Sequence, residues 1–273
     1  MTFPLPCRII ALYFYFQQEV SMFNTVQFYY FSPTGGTKAC GECFCKAIAA
    51  NVKAVNLGLE EAAFNDDCDL AVFAMPVFAG RIPAVAAEKL SALNGKGMKA
   101  VTLVVYGVRA YEDALLELNN VVKESNFTVV ASAALVAQHS IVPAVGQGRP
   151  NEEDKASITA FAAQVMAKLT SGSKQSVTVP GNFPYREAGN MPFTPICLPA
   201  CGKCGACVAV CPTKAIGMDD EGIKTDVDTC ILCMACTAVC PKKVRVLPPA
   251  VQENMNEKMA ALVSVHRENE YFL

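Results

Sequence analysis

Eight of the chain's fourteen cysteines fall between Cys201 and Cys240, where one spacing is written twice. Cys201, Cys204, Cys207 and Cys211-Pro212 are answered by Cys230, Cys233, Cys236 and Cys240-Pro241. CGKCGACVAVCPTKAI laid on CILCMACTAVCPKKVR agrees at nine of sixteen positions, so the repeat extends beyond the cysteines. A 4Fe-4S cube offers four irons, each taking one thiolate, and successive two-residue gaps let one tight loop set three sulfurs around a cube. Small residues between the cysteines (Gly202, Gly205, Ala206, Ala235) let backbone N–H groups approach the sulfurs and help set the potential. A disulfide framework would want an oxidising compartment and usually a short secreted chain. Zinc would favour paired C-x-x-C knuckles over three cysteines in sequence followed by Cys-Pro.

The doubled run resembles the bacterial two-cluster ferredoxins, in which the fourth ligand of each cluster comes from the other run. That resemblance implies one cluster on Cys201, Cys204, Cys207 and Cys240, and a second on Cys230, Cys233, Cys236 and Cys211.

With 273 residues and 52% hydrophobic content, the chain is long enough for about two domains, one much larger than the other. A net charge of −2 leaves no electrostatic footprint for nucleic acid. Cysteines grouped as metal ligands point to a reducing compartment, an anaerobic cytoplasm above all. The apolar run Ile9–Phe16 falls well short of the ~20 residues a membrane span needs. One basic residue and no small-residue cleavage site argue against a signal peptide, so residues 1–21 read as a dispensable extension.

From Val26 onward, β-branched and aromatic runs alternate with amphipathic stretches of helical length, the pattern of an α/β doubly wound parallel sheet. Strands are expected near 25–31, 52–56, 69–75, 99–106 and 128–134, and helices over 37–50, 83–92, 111–124 and 152–169. The first strand runs through Ser32-Pro33-Thr34-Gly35-Gly36-Thr37 straight into a helix. Hydroxyls, glycine-exposed N–H groups and a helix N-terminus therefore meet at one point, as a phosphate site requires. The loop is neither a Walker-type P-loop nor a dinucleotide fingerprint. Two more loops leave carboxyl strand ends, where open α/β sheets bind ligands: Pro76-Val77-Phe78-Ala79-Gly80-Arg81 and Tyr106-Gly107-Val108-Arg109.

S-x-T-G-G-T resembles the flavodoxin phosphate loop, and PVFAGRIP with YGVRAYEDAL resembles the ring-flanking loops of the flavodoxin–ferredoxin fusion proteins of anaerobic bacteria. The resemblance covers about 22 to 247. It implies a flavodoxin-like five-stranded parallel sheet binding FMN, followed by a small α+β ferredoxin domain with two 4Fe-4S clusters. By the same resemblance Ser32, Thr34, Gly35, Gly36 and Thr37 hold the FMN phosphate, while Pro76, Val77, Phe78, Ala79, Gly80 and Arg81 with Tyr106, Gly107, Val108 and Arg109 bracket the ring. Arg81 and Arg109 would then set positive charge beside the flavin and favour its reduced form. The sequence departs from the pattern at Phe78, where tyrosine is expected, and at Val108, where asparagine is expected.

Residues 22–170 are thus read as the FMN domain, 171–196 as a Ser-, Gly- and Pro-rich linker acting as a semi-rigid tether, and 197–247 as the ferredoxin domain. In the tail, 248–273, Met255, Met259, Leu262 and Val263 have the spacing of an amphipathic helix packed on the body. Cys40, Cys43 and Cys45 read as small buried hydrophobes in the first helix. Cys197 is a spare thiol near the first ligand, and His139 a structural histidine with a flavin or substrate contact as the alternative. The expected function is electron transfer between FMN and two 4Fe-4S clusters, serving redox partner proteins or a small-molecule acceptor. The alternatives are a flavin-dependent reductase fed by the clusters and a redox or iron–sulfur sensor.

Overall fold

A computed structural model of the chain describes residues 22–173, 175–189 and 191–273, so the expectation for residues 1–21 lies outside the described residues. The order is β1 (Phe23–Tyr30), α1 (Gly36–Ile48), β2 (Ala49–Asn56), β3 (Leu70–Pro76), α2 (Ala84–Ser91), β4 (Lys99–Tyr106), α3 (Ala114–Glu124), β5 (Thr128–Val136) and α4 (Glu152–Thr170). There follow β6 (Ile196–Cys197), α5 (Ala206–Ala209), β7 (Ile216–Met218), β8 (Ile223–Thr225), α6 (Ala235–Ala238), β9 (Arg245–Val246), α7 (Pro249–Met259) and β10 (Glu270–Phe272).

The main sheet runs β10-β5-β4-β3-β1-β2, with β1 to β5 all parallel in the order 2-1-3-4-5. β3, β4 and β5 are covered on both faces, which is why they read as continuous apolar runs. β2, at the edge, is mostly exposed or half-buried. One face packs Cys40, Phe44 and Ile48 of α1 with Ile158, Phe161 and Val165 of α4 against Phe28, Val72 and Leu103. The other packs Ala86 and Leu90 of α2 with Leu115, Leu118 and Val122 of α3 against Tyr29, Phe73 and Val104. The long α4 opens on a capping box: the Asn151 side chain accepts from the Asp154 N–H and the Asp154 carboxylate accepts from the Asn151 N–H.

The sheet has one strand more than the sequence suggests. β10 pairs antiparallel with β5, Glu270 opposite Ala134 and Phe272 opposite Ser132. The tail therefore makes α7 and then returns to close the edge of the first domain, where Tyr271 stacks on Phe161 at 4.6 Å between ring centroids. Met255, Met259 and Leu262 pack on the body as expected, whereas Val263 is half exposed.

Part of the linker is bonded to the first domain. The Asp113 carboxylate, 2% exposed, accepts N–H bonds from Asn182 and Arg186, and Asn120 donates to the Tyr185 hydroxyl at 2.7 Å. Gly181 lies so close to α3 that a Cβ there would sit 2.7 Å from Leu116 Cβ. Val177 and Val179 join the apolar cluster beneath α3. Residues 177–187 are thus a strap laid along the first domain.

Candidate functional site

The loop of residues 32–37 turns the first strand directly into a helix N-terminus. Gly35, at φ 97°, turns the chain into α1, whose N-terminus has no side-chain cap and no acidic residue in its first turn. The Ser32 hydroxyl oxygen accepts from the Lys38 N–H at 2.9 Å, leaving its own proton to donate outward. A 13-residue helix aimed at this point adds its dipole to the free N–H groups, so the residues present suit a phosphate dianion.

The second loop is a two-residue hairpin. Phe78 and Arg81 exchange both backbone bonds around Ala79 and Gly80, which have φ of 50° and 84°. In the third, Val108 is buried at φ 68°, a left-handed conformation that opposes a β-branched side chain and that asparagine tolerates better. Gly107 is pressed against His139, whose Cβ would lie 2.7 Å from an added methyl. The two loops are joined on their outer side, where the Asp113 N–H donates to the Gly80 carbonyl.

The arginines are not free charges. Arg81 makes two bonds to the Glu117 carboxylate, at 2.7 and 2.6 Å, and its third nitrogen donates to the Arg186 carbonyl of the strap. Arg109 makes two 3.0 Å bonds to Glu112, which also pairs with Arg186. Arg81 is therefore matched by Glu117, whereas Arg109 shares Glu112 with Arg186. Glu117 carries no sequence signal for this role, because on α3 it reads as an ordinary surface charge.

His139 is structural: its Nδ1 accepts from the N–H groups of Ile141 and Val142, and burial, aided by the nearby Arg109 charge, pushes its pKa down to about 4. Burial drives the Cys40 thiol up to about 12 and the Cys45 thiol upward as well, so neither is a nucleophile at neutral pH.

In the cysteine-rich segment the sequence repeat is also a repeat of backbone conformation. Lys203, Gly205 and Lys214 have φ of 51°, 77° and 55°, and their repeat mates Leu232, Met234 and Lys243 have 49°, 64° and 55°. Left-handed residues at matching places in both runs, several of them side-chain-bearing, mark loops held in a strained shape for a purpose. Cys211 lines one small cavity together with Cys230, Cys233 and Cys236 of the second run. Among the described residues no three Cys, His, Asp or Glu side chains converge as they do around a single ion. A four-iron cube takes its thiolates from farther apart than one ion does.

The two units meet through these loops. Cys233 and Ala235 belong to the same apolar cluster as Phe31, Val77, Phe78, Tyr106 and Val108. Beside them lies a cavity of about 290 Å³ between the β1 and β2 ends (Phe31, Ser32, Asn56, Leu59) and the cluster loops (Val210, Pro212, Ala235, Val239).

Strand order and cysteine runs together define a flavodoxin-like α/β unit joined to an iron–sulfur module. Residues 200–244 match the 4Fe-4S dicluster domain. No curated protein matches the chain. Among solved structures, a flavodoxin of Streptococcus pneumonia TIGR4 is 17% identical, covering 53% of this chain and 99% of its own at a TM-score of 0.42. A flavodoxin from the domain Archaea is 15% identical over 54% of this chain and 99% of its own, also at 0.42. Flavodoxin 1 of Bacillus cereus is 14% identical over 53% and 98%, at 0.40. The fold assignment rests on the strand order itself. Among the described residues no helix is long and apolar enough to cross a membrane.

Proposed function

We propose that the chain is an electron-transfer protein holding FMN at the carboxyl end of its parallel sheet and two 4Fe-4S clusters on its eight repeated cysteines, in a reducing cytoplasm. Ser32, Thr34, Gly35, Gly36 and Thr37 would hold the phosphate, with residues 76–81 and 106–109 around the ring. Cys201, Cys204, Cys207 and Cys240 would carry one cluster, and Cys230, Cys233, Cys236 and Cys211 the other. FMN exchanges one or two electrons and each cluster one, so a flavin beside two clusters can split or collect an electron pair.

The observation that carries this reading is the packing of Cys233 and Ala235 into one apolar cluster with Val77, Phe78 and Tyr106. Apolar side chains contributed by both units lower the local dielectric at this junction.

The test is anaerobic reconstitution with iron, sulfide and FMN, followed by stepwise reduction monitored by visible absorbance and low-temperature paramagnetic resonance. About eight irons and one FMN per chain, with electrons distributing between flavin and clusters, are expected. Zinc in place of iron, or four irons at full loading, overturns the assignment.

A further inference from the structure

Arg245 is 2% exposed, and its Nε is a buried donor with no hydrogen-bond partner among the described residues. Its backbone lies in β9 opposite Cys197, while its side chain crosses to the other ribbon, where one Nη donates to the Thr225 hydroxyl of β8. The second Nη donates to Cys197 Sγ at 3.4 Å, and Thr225 lines a small cavity together with Cys211, Cys230, Cys233 and Cys236. A full positive charge thus lies inside the module, held by Thr225 at the edge of a cavity lined by four of the repeated cysteines.

The repeat sharpens this. In the alignment of the two runs, the residue at the place of Arg245 is Ile216, which opens β7 as Arg245 opens β9. Ile216 is buried in a small apolar cluster with Cys207 and Cys236, as such a position ordinarily is. Exchanging an aliphatic side chain for a buried guanidinium breaks the symmetry of the module at its centre. A buried charge costs several kcal/mol unless it is compensated, and neither the Thr225 hydroxyl nor the Cys197 thiol carries a formal charge that would do so. A cluster with its thiolates is an anion that gains one more negative charge on reduction.

We propose that Arg245 is a positioning and potential-setting residue that holds the cluster of Cys230, Cys233, Cys236 and Cys211 at the higher potential of the two. Through Thr225 it stands at the cavity lined by Cys211, Cys230, Cys233 and Cys236, whereas its other Nη bond is to Cys197, outside the repeat. The favoured cluster is then the one whose loop, through Cys233 and Ala235, packs against the flavin-side loops. Electrons arriving in the module would reside first next to the flavin domain. This inference rests on the two-cluster reading above.

The test uses the full chain, reconstituted anaerobically, in the forms Arg245→Met, Arg245→Gln and Arg245→Lys. Iron content and the midpoint of each cluster are followed by paramagnetic resonance. In the wild type, about eight irons and two resolvable reductions check the two-cluster reading by itself. In the neutral variants the cluster that reduces first should become about tenfold harder to reduce, about 59 mV for one electron, with the second much less affected and the iron count unchanged. Lysine should restore most of the shift. Neutral variants with eight irons and unchanged midpoints overturn the proposal. So do neutral variants that lose iron while the lysine form keeps it with wild-type midpoints, because the guanidinium then serves assembly alone.

Discussion

Arg81 and Glu117 form a two-bond ion pair that ties the hairpin of the second crevice loop to α3, Nε to Oε2 at 2.7 Å and Nη2 to Oε1 at 2.6 Å. Glu117 also accepts the Ile82 N–H at 3.0 Å, so one carboxylate fixes both the charge and the backbone of the loop. The side chains are 22% and 9% exposed, so the pair is only partly screened by water. Glu117→Gln should lower stability by about 2 kcal/mol, below the cost of breaking a fully buried pair. It should also raise the potential for full reduction of bound flavin, because Arg81 is left uncompensated. Arg81→Ala should move that potential the opposite way, and the double variant should return near the wild type. Denaturant midpoints and a spectroscopic potential titration read both effects. Shifts of the same sign in the two single variants would contradict the pairing argument.

Much of this was legible in the sequence where burial is two-sided or a ligand imposes spacing. β3, β4 and β5 show as unbroken apolar runs because helices cover both faces, and the cysteine runs because a cube dictates where thiols stand. β10 was not legible: three residues cannot display alternation, and its pairing with β5 is fixed by long-range contacts such as Asn269 Oδ1 accepting the Val136 N–H. The strap reads as a tether by its Ser, Gly and Pro content, since nothing local reveals that Asp113 collects its N–H groups. Arg245, following Lys242 and Lys243, looks like a surface residue. The available signal was its alignment with Ile216.

Cys204 is an exposed cysteine of the doubled run, so replacing it removes a thiolate with little effect on packing. Cys204→Ser should lower iron from about eight to about four per chain and leave FMN at one. Loss of flavin together with the iron would show that the two units do not load independently.

His139 supplies a pH dependence. Its folded pKa, about 4, lies below the ordinary value near 6.5, because burial disfavours the charged ring. The unfolded chain therefore binds a proton that the folded chain refuses as pH falls from about 6.5 to 4. Stability should decline across that window by up to about 3 kcal/mol and be unaffected by this group above it. The chain has two histidines, so their ring signals are separable by nuclear magnetic resonance. The His139 signal should hold its neutral position to about pH 5. Titration of the His139 ring near pH 6.5 would refute the buried-neutral assignment.

Tyr271 carries the contact that returns the tail to the sheet. Its ring lies on Phe161 at 4.6 Å and its hydroxyl meets Ser157 Oγ at 2.7 Å. Tyr271→Ala should destabilise the α/β unit by about 2 kcal/mol, less than a fully buried aromatic would cost. Tyr271→Phe should cost about 1 kcal/mol, the share of one hydrogen bond. Equal losses in the two variants would mean the stacked ring contributes little.

The phosphate loop offers the cleanest separation of flavin from clusters. Gly35 sits at φ 97°, where an L side chain is strained, yet a Cβ there would meet nothing within 4 Å. Gly35→Ala therefore acts through backbone geometry alone, at a cost of about 1–2 kcal/mol. The adjoining Gly36 differs: an added Cβ would stand 3.1 Å from Ala137 Cβ, and the penalty there is steric. In Gly35→Ala the chain can relieve its strain only by rotating the N–H groups that open α1 away from the crevice, and those groups are what a phosphate dianion would bind. FMN affinity should fall about tenfold, equivalent to about 1.4 kcal/mol. Riboflavin, which lacks the phosphate, should bind the variant and the wild type equally, and the iron count should not change. A matching loss for riboflavin would move the phosphate contact away from this loop, and with it the orientation assigned to the ring.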